Sequence, residues 1–391
     1  MVTERAALRL SPWGPWGVYR VRKVGCTTLA VQTRLAAQLN LPRQRVVFPA
    51  LKDKEAVAIQ FATLPASAPE ILAGSGFEAQ RIGYRQAPLA PADLLGNHFD
   101  IVMRDIPGAQ AGALRCALLA LGEQGLPNYF DEQRFGSYAP DGGFIGKAIL
   151  QRDATQAIYA YLAQPWRGDP PPIRAFKRRA ARLWPDWGAI MAVAPRPSNY
   201  RSVLTYLQDH PEGFRKALNL IPQRLLALYL AAYQSHLWNR IAAAWLEEIY
   251  RQMGAPCGQV EIAATYYPFH IEIGATVLAS LRARSLPLPT HRAAFQPVDL
   301  GLVVERVLAE EGLTLGDLKA RILERAYLPR GRRPLLLWPQ ELEVDAPRPD
   351  ERFPGRQALR VRFALPSGSY ATLVCRVAMA RVNHAMEEEN Q

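Results

Sequence analysis

Apolar and basic positions alternate from Val18 (VYRVRKVG), the pattern of a strand with one buried face and Arg20, Arg22 and Lys23 toward solvent. Thr27 or Thr28 can cap a helix over 29–39, where Val31, Leu35 and Leu39 share a face and Pro42 ends the run. Arg45-Val46-Val47-Phe48 reads as a second strand, stopped by Pro49-Ala50, and 56–64 as a third. A Pro/Ala/Ser connection over 65–69 leads to a short helix. Strands over 83–89 and 99–103 follow, separated by a tight turn at 94–98. Residues 109–124 are Ala/Leu-rich and helical, stopping at Gly125 and Pro127.

Beyond that point the pattern gives a helix from Gly146 to about Gln164 and a long one over 221–250, with Leu225, Tyr229, Tyr233 and Leu237 as its core stripe. Short strands are expected over 259–281, a helix over 300–323, and Pro-rich connections at 285–290 and 345–354. Leu335 to Trp338 and the alternating LRVRFAL (359–365) read as strands, and 370–377 as an inner strand or a helix start. The first dozen residues and the tail from Glu387 read as frayed ends.

Composition narrows the class. With 49% hydrophobic and 21% charged residues the chain is globular, and 391 residues allow two or three domains. The formal charge of +12 favours a polyanionic partner, most simply nucleic acid. Four widely spaced cysteines make neither a CxxC pair nor a disulfide framework, and six scattered histidines have no zinc-ligand spacing, so no metal is expected. No apolar run approaches 18 residues and no signal-peptide pattern opens the chain; a cytoplasmic protein without membrane partners is expected.

Three stretches carry candidate chemistry. Lys52-Asp53-Lys54 places an acid between two ammonium groups, which favours its ionised form; the same spacing also suits a solvated turn. PNYFDEQRFG (127–136) interleaves aromatics, an amide and an Arg, either to stack and hydrogen-bond an unpaired base or simply as a core strand. Basic runs at Arg174, Lys177, Arg178 and Arg179, and at Arg330, Arg332 and Arg333, are solvated faces or phosphate contacts. Ser235 and His236, adjacent on a helix, point to different faces and make no hydrolase dyad.

Taken together, five blocks in one order resemble the TruD-type pseudouridine synthases. LKDKEAVAIQ (51–60) is similar to G-x-K-D-[KR]-x-A-V-T-x-Q, LGNHF with Arg104 to L-x-G-N-x-F…R, and GLPNYFDEQRFG (125–136) to G-V-P-N-Y-F-G-x-Q-R-F-G. Gln234-Ser235 with Leu237 and Asn239 resembles S-x-[LF]-F-N, and FALPSGSYAT (363–372) resembles F-x-L-P-x-G-S-[FY]-A-T. Ala50, Ala58 and Asp131 depart from the family's Gly, Thr and Gly. The family's amino-terminal F-x-V-x-E segment and an upstream Lys have no counterpart in this reading.

The resemblance implies an α+β fold: a catalytic domain on a mostly antiparallel sheet (1–152 and 340–391), interrupted by a TruD-type α/β insertion domain (153–339). It implies isomerisation of uridine to pseudouridine in RNA, transfer RNA first and uridine 13 within it, by a monomer without cofactor. Asp53 matches the catalytic aspartate; Asn128 and Phe130 match pocket positions, Phe130 for stacking and Asn128 for hydrogen bonding. Lys52, Gln133 and Arg134 join the substrate-binding set, and Arg376 is the candidate ion-pair partner of Asp53. The basic residues named above would line a groove for the RNA backbone. A catalytically weak RNA-binding or RNA-folding protein of the same fold is the alternative.

Overall fold

The amino terminus, expected to fray, is a strand at the middle of a sheet. In a computed structural model, whose described residues are 1–389, the chain opens with β1 (Val2–Ala6), β2 (Trp16–Lys23), α1 (Thr28–Gln38), β3 (Ala58–Pro65), β4 (Ile71–Gly74), β5 (Phe77–Arg85), β6 (Leu94–Ile106) and α2 (Gly108–Gln124). It forms two compact units, Met1–Gly125 with the residues from Trp338 onward, and Leu126–Leu337. The expected division lay at 152/153. It falls earlier because 128–130 bonds to residues more than a hundred positions away in the second unit, Asn239 and Arg333 among them.

In the first unit the described residues form a nine-stranded sheet. Its order is Gln340–Val344, Gln357–Pro366, β6, β1, β3, β2, β5, β4, with Arg348–Pro349 beside Gln357–Pro366. Every pairing is antiparallel except β1 with β3, where Val2 faces Ala58. The α+β expectation with a mostly antiparallel sheet holds. β2 keeps its predicted alternation, but with Tyr19, Val21 and Lys23 inward and Arg20 and Arg22 outward. α1 lays Val31 and Leu35, both fully buried, over Tyr19, Val21, Ala62 and Leu64; burial of one such side chain contributes about 1.5–3 kcal/mol. Its start is capped by Thr27, whose hydroxyl accepts from the Ala30 N–H.

Several expectations change. Residues 46–48 make a single bridge, Val47 to Thr63, after a 3₁₀ turn at Arg43–Arg45. The short helix after Pro69 is β4, and the turn at 94–98 is continuous strand. Gly96 permits that strand, because a Cβ there would collide with the Leu365 carbonyl oxygen on the paired strand. The 345–354 connection is anchored by Asp350, which accepts from Arg104 at 2.8 Å and from the Asp105 and Arg352 amides at 2.9 Å each. Burial alone would raise its pKa, but those three donors hold it at about 2. The chain closes with the helix Ala371–Glu389, so Glu387 is helical; residues 390–391 lie outside the described part.

The second unit is mainly helical, organised on the long helix Gln223–Met253. Gly146 packs against it; a Cβ there would lie 2.7 Å from both the Tyr229 carbonyl and the Tyr233 Cβ. The expected helix over 146–164 is two, Ile145–Leu150 and Ala154–Leu162, parted by Arg152 with φ +64°. That over 300–323 is Val298–Glu310 and a 3₁₀ turn, parted by Gly312 with φ +67°. The expected strands over 259–281 become the hairpin Cys257–Ile262 with Thr265–His270 and then a helix, Ala275–Arg282. The ends of the unit pair with each other, Leu126 with Leu337 and Pro127 with Leu336.

Candidate active site

The loop that carries Asp53 is tied down from below at three backbone positions. Thr28, at the start of α1, accepts the Lys52 N–H at 2.9 Å and donates to Gln60 Oε1 at 3.2 Å. Lys23, the last residue of β2 and fully buried, donates to the Asp53 carbonyl oxygen and, at 3.5 Å, to that of Ala56. Burial pushes the Lys23 ammonium down from its usual pKa, while Cys26 and Asp53 support the charge and Lys52 opposes it. The Asp53 residue itself is exposed. A buried cation thus holds the main chain of an exposed carboxylate.

The expected triplet geometry is corrected. Lys52 turns inward, 2.8 Å from the fully buried Glu4 carboxylate on β1 and 2.7 Å from Asn97 Oδ1 on β6. Lys54 pairs with Glu55 at 3.8 Å. Glu4 also accepts the Phe61 N–H at 2.8 Å. Glu4 on β1 and Lys23 on β2 thus both bear on the loop that carries Asp53. The signal for Lys23 was the parity of its strand, since 19, 21 and 23 share one face. Arg376 lies in the first turns of the helix Ala371–Glu389 and is partly buried.

In the second unit, 128–135 is not a strand but a pinned connection ending in a 3₁₀ turn (Glu132–Phe135). Asn239, fully buried on the long helix, grips the Phe130 backbone at both ends: Oδ1 accepts the N–H and Nδ2 donates to the C=O, each at 2.8 Å. Asn128 donates to the Pro334 carbonyl at 3.1 Å and accepts from Arg333 at 2.8 Å. Arg333 also donates to the carbonyls of Asn128 (2.6 Å) and Tyr129 (3.2 Å), and its guanidinium lies 4.1 Å from the Phe130 ring centre. Trp238 meets Phe130 edge-on at 5.7 Å. Arg134 donates to Ser235 Oγ at 3.1 Å, and Gln133 is exposed. The Asn–Arg contacts span over a hundred residues, which local pattern does not reveal.

Two of the expected phosphate-contacting cations are internal. Arg333 is buried in the bonds just described. Lys177 is fully buried, 2.8 Å from Asp169 and 3.3 Å from the Trp166 ring centre. Burial, only partly offset by Asp169, pushes its pKa down to about 8. Arg174, Arg178 and Arg179 lie on the exposed face of the helix Pro171–Leu183, and Arg330 is exposed. Arg332 is exposed and donates to Ser285.

No described helix is long and apolar enough to cross a membrane. A family profile for tRNA pseudouridine synthase D (TruD) matches residues 1–377. The chain belongs to the TruD family. It is thus an isomerase of that family, and the ordered blocks at 51–60, 125–136 and 363–372 lie inside the match. Among TruD relatives, a probable tRNA pseudouridine synthase D 1 of Methanococcus maripaludis is 24% identical, over 96% of this chain and 95% of its own. The tRNA pseudouridine synthase D of Syntrophotalea carbinolica is 30% identical, over 92% and 88%. The crystal structure of a putative TruD from Methanosarcina mazei superimposes with a TM-score of 0.72 at 23% identity, covering 97% of this chain and 91% of that one.

Proposed function

We propose that this TruD isomerase converts uridine 13 of transfer RNA to pseudouridine, with Asp53 as its reacting carboxylate. The observation that carries the reading is the anchored loop: Lys23, Thr28 and the Glu4–Lys52 pair fix the backbone around an exposed aspartate. A carboxylate on a rigid backbone can be aimed to within the small tolerance that a displacement at carbon demands.

The chemistry balances without an oxidant, reductant or co-reactant. The C1′–N1 bond breaks and N1 keeps its electron pair; the base turns; C5 bonds to C1′ and releases its proton, while N1 takes one up. Asp53 assists either by bonding to C1′ and leaving again when C5 attacks, or by taking a sugar proton and returning it. Arg376 would pair with the carboxylate and keep it charged. The target nucleotide has to leave its stack, at a cost of a few kcal/mol. The aromatic and guanidinium surface of Phe130, Arg134 and Gln133 is the candidate that receives it. Lys52 and Asn128, both turned to internal partners, shape the site instead of reading the base. Arg174, Arg178, Arg179, Arg330 and Arg332 are the candidates for the RNA backbone.

The alternative, a catalytically weak RNA binder, drew on an unrecognised amino-terminal segment and the altered loop; the contacts of Glu4 and Lys23 with the Asp53 loop favour the enzyme. The test is tritium release from C5-labelled uridine in transcribed tRNA. Asp53→Asn lowers turnover by roughly 10²–10⁴-fold or more, with tRNA affinity within about threefold of wild type. Pseudouridine formation at the wild-type rate by Asp53→Asn overturns the mechanism.

A further inference from the structure

A second basic site lies in the Leu126–Leu337 unit, outside the motif blocks. Three segments enclose a cavity of about 480 Å³, within the range of small-ligand sites. His291 and Arg292 come from the first, Lys319 and Arg321 from the second, Tyr327 and Arg330 from the third. No carboxylate lines it. Among the described residues, none of Arg292, Lys319, Arg321 and Arg330 is ion-paired, and all four are exposed. Tyr327 is 68% exposed, with its hydroxyl donating to the Glu324 carbonyl at 3.3 Å. Local desolvation first, and then the field of those four cations, lower the His291 pKa.

The walls are built, not accidental. Gln234 of the long helix, 1% exposed, donates to the Pro289 carbonyl at 3.0 Å and to the Pro329 carbonyl at 2.8 Å, joining the first and third segments. Asn219 donates to the Ile322 carbonyl and accepts the Glu324 N–H, both at 2.9 Å, fixing the second. Gln234 belongs to the same sequence block as Ser235 and Asn239, but turns to this cavity's walls instead of to 130–134. Arg330 stands three residues before Arg333, at most about 11 Å along an extended chain. The cavity is therefore within reach of nucleotides adjoining one held at Phe130.

We infer that this cavity binds an unpaired nucleotide of the RNA substrate next to the target, its base stacked on Tyr327 and its phosphates held by Arg292, Arg321 and Arg330. An exposed ring flanked by unpaired guanidinium groups is the combination by which proteins hold single-stranded nucleic acid. The inference rests on the RNA-substrate reading above and adds to it a specificity element in the Leu126–Leu337 unit.

Stacking and charge leave different signatures in tRNA binding measured against salt. Tyr327→Ala weakens binding by roughly 5- to 100-fold without changing the salt slope, and Tyr327→Phe restores it. Arg292→Gln with Arg321→Gln lowers the slope of log K against log salt by about 1–2. In both, KM for tRNA rises while kcat at saturation stays within about twofold, and melting temperatures are unchanged because the side chains are exposed. Wild-type tRNA affinity and salt slope in Tyr327→Ala and in the double Arg variant overturn the inference. So does a loss confined to uridine monophosphate or inorganic phosphate, which would mark a free-nucleotide or anion site. If the wild-type chain makes no pseudouridine but both variants still lose tRNA, the proposed reaction falls and this site stands.

Discussion

Glu4→Ala tests whether the first residues are integral to the sheet. Glu4 has a fully buried carboxylate with two partners, Lys52 at 2.8 Å and the Phe61 N–H at 2.8 Å. Removing one member of a buried ion pair costs about 3–5 kcal/mol, because the other charge stays behind uncompensated. The lower end applies to Lys52, which keeps Asn97 at 2.7 Å and has a side chain 9% exposed. The orphaned Phe61 amide adds about 1 kcal/mol or more. A total near 4 kcal/mol corresponds to a fall in melting temperature of roughly 8–16 °C for a unit of this size. Glu4→Gln keeps an acceptor for Phe61 and a dipole for Lys52, and recovers about half. Scanning calorimetry reads both. A Glu4→Ala chain melting within about 2 °C of wild type would refute the placement of β1 and the internal role of Lys52.

Two further outcomes follow from the second unit. Asn239→Ala strips the Phe130 N–H and C=O of the side chain that bonds both in the core and costs about 2–5 kcal/mol in urea unfolding, with pseudouridine formation falling in step; a loss under 0.5 kcal/mol would refute the clamp. Lys177 has a folded pKa of about 8, below its unfolded value, so between about pH 8 and 10.5 the unfolded chain binds the extra proton and stability rises with pH. The gain is on the order of 3 kcal/mol. Lys177→Met lacks that rise, and the difference between the two chains across the window, followed by Trp fluorescence, reads it.

Much of the first unit was legible because its information is local. Strand alternation marked β2, an apolar run marked β3, a Thr cap and an i, i+4 stripe marked α1, and Gly125-Leu126-Pro127 marked the end of α2. Failures came where long-range contacts overrode local pattern. Gly96 and Asn97 look like a turn, yet Gly96 is required by a neighbouring strand's carbonyl. Arg333 and Lys177 sit in basic runs, and their burial depends on Asn128, Asp169 and Trp166, which the runs do not contain. The family, and with it the loop of Asp53 as a candidate, was legible from the order of the five blocks. Lys23 beneath it was not, because a terminal lysine on an alternating strand reads as a solvated end until its parity is followed.

The ends of the 126–337 insertion are hydrogen-bonded to each other, Leu126 to Leu337 and Pro127 to Leu336. On the flanking side the Trp338 indole donates to the Glu123 carbonyl at 3.3 Å. More than two hundred residues thus leave and rejoin the sheet-bearing unit through a gap no wider than a hairpin. For that unit, the loop-closure entropy of so long an excursion is cancelled once the insertion has folded. The excursion is therefore a cassette: replaced by a two-residue Asn-Gly turn, it should leave a sheet that still folds, keeps Asp53 on its anchored loop, and has lost Phe130, Arg134 and the Tyr327 cavity together.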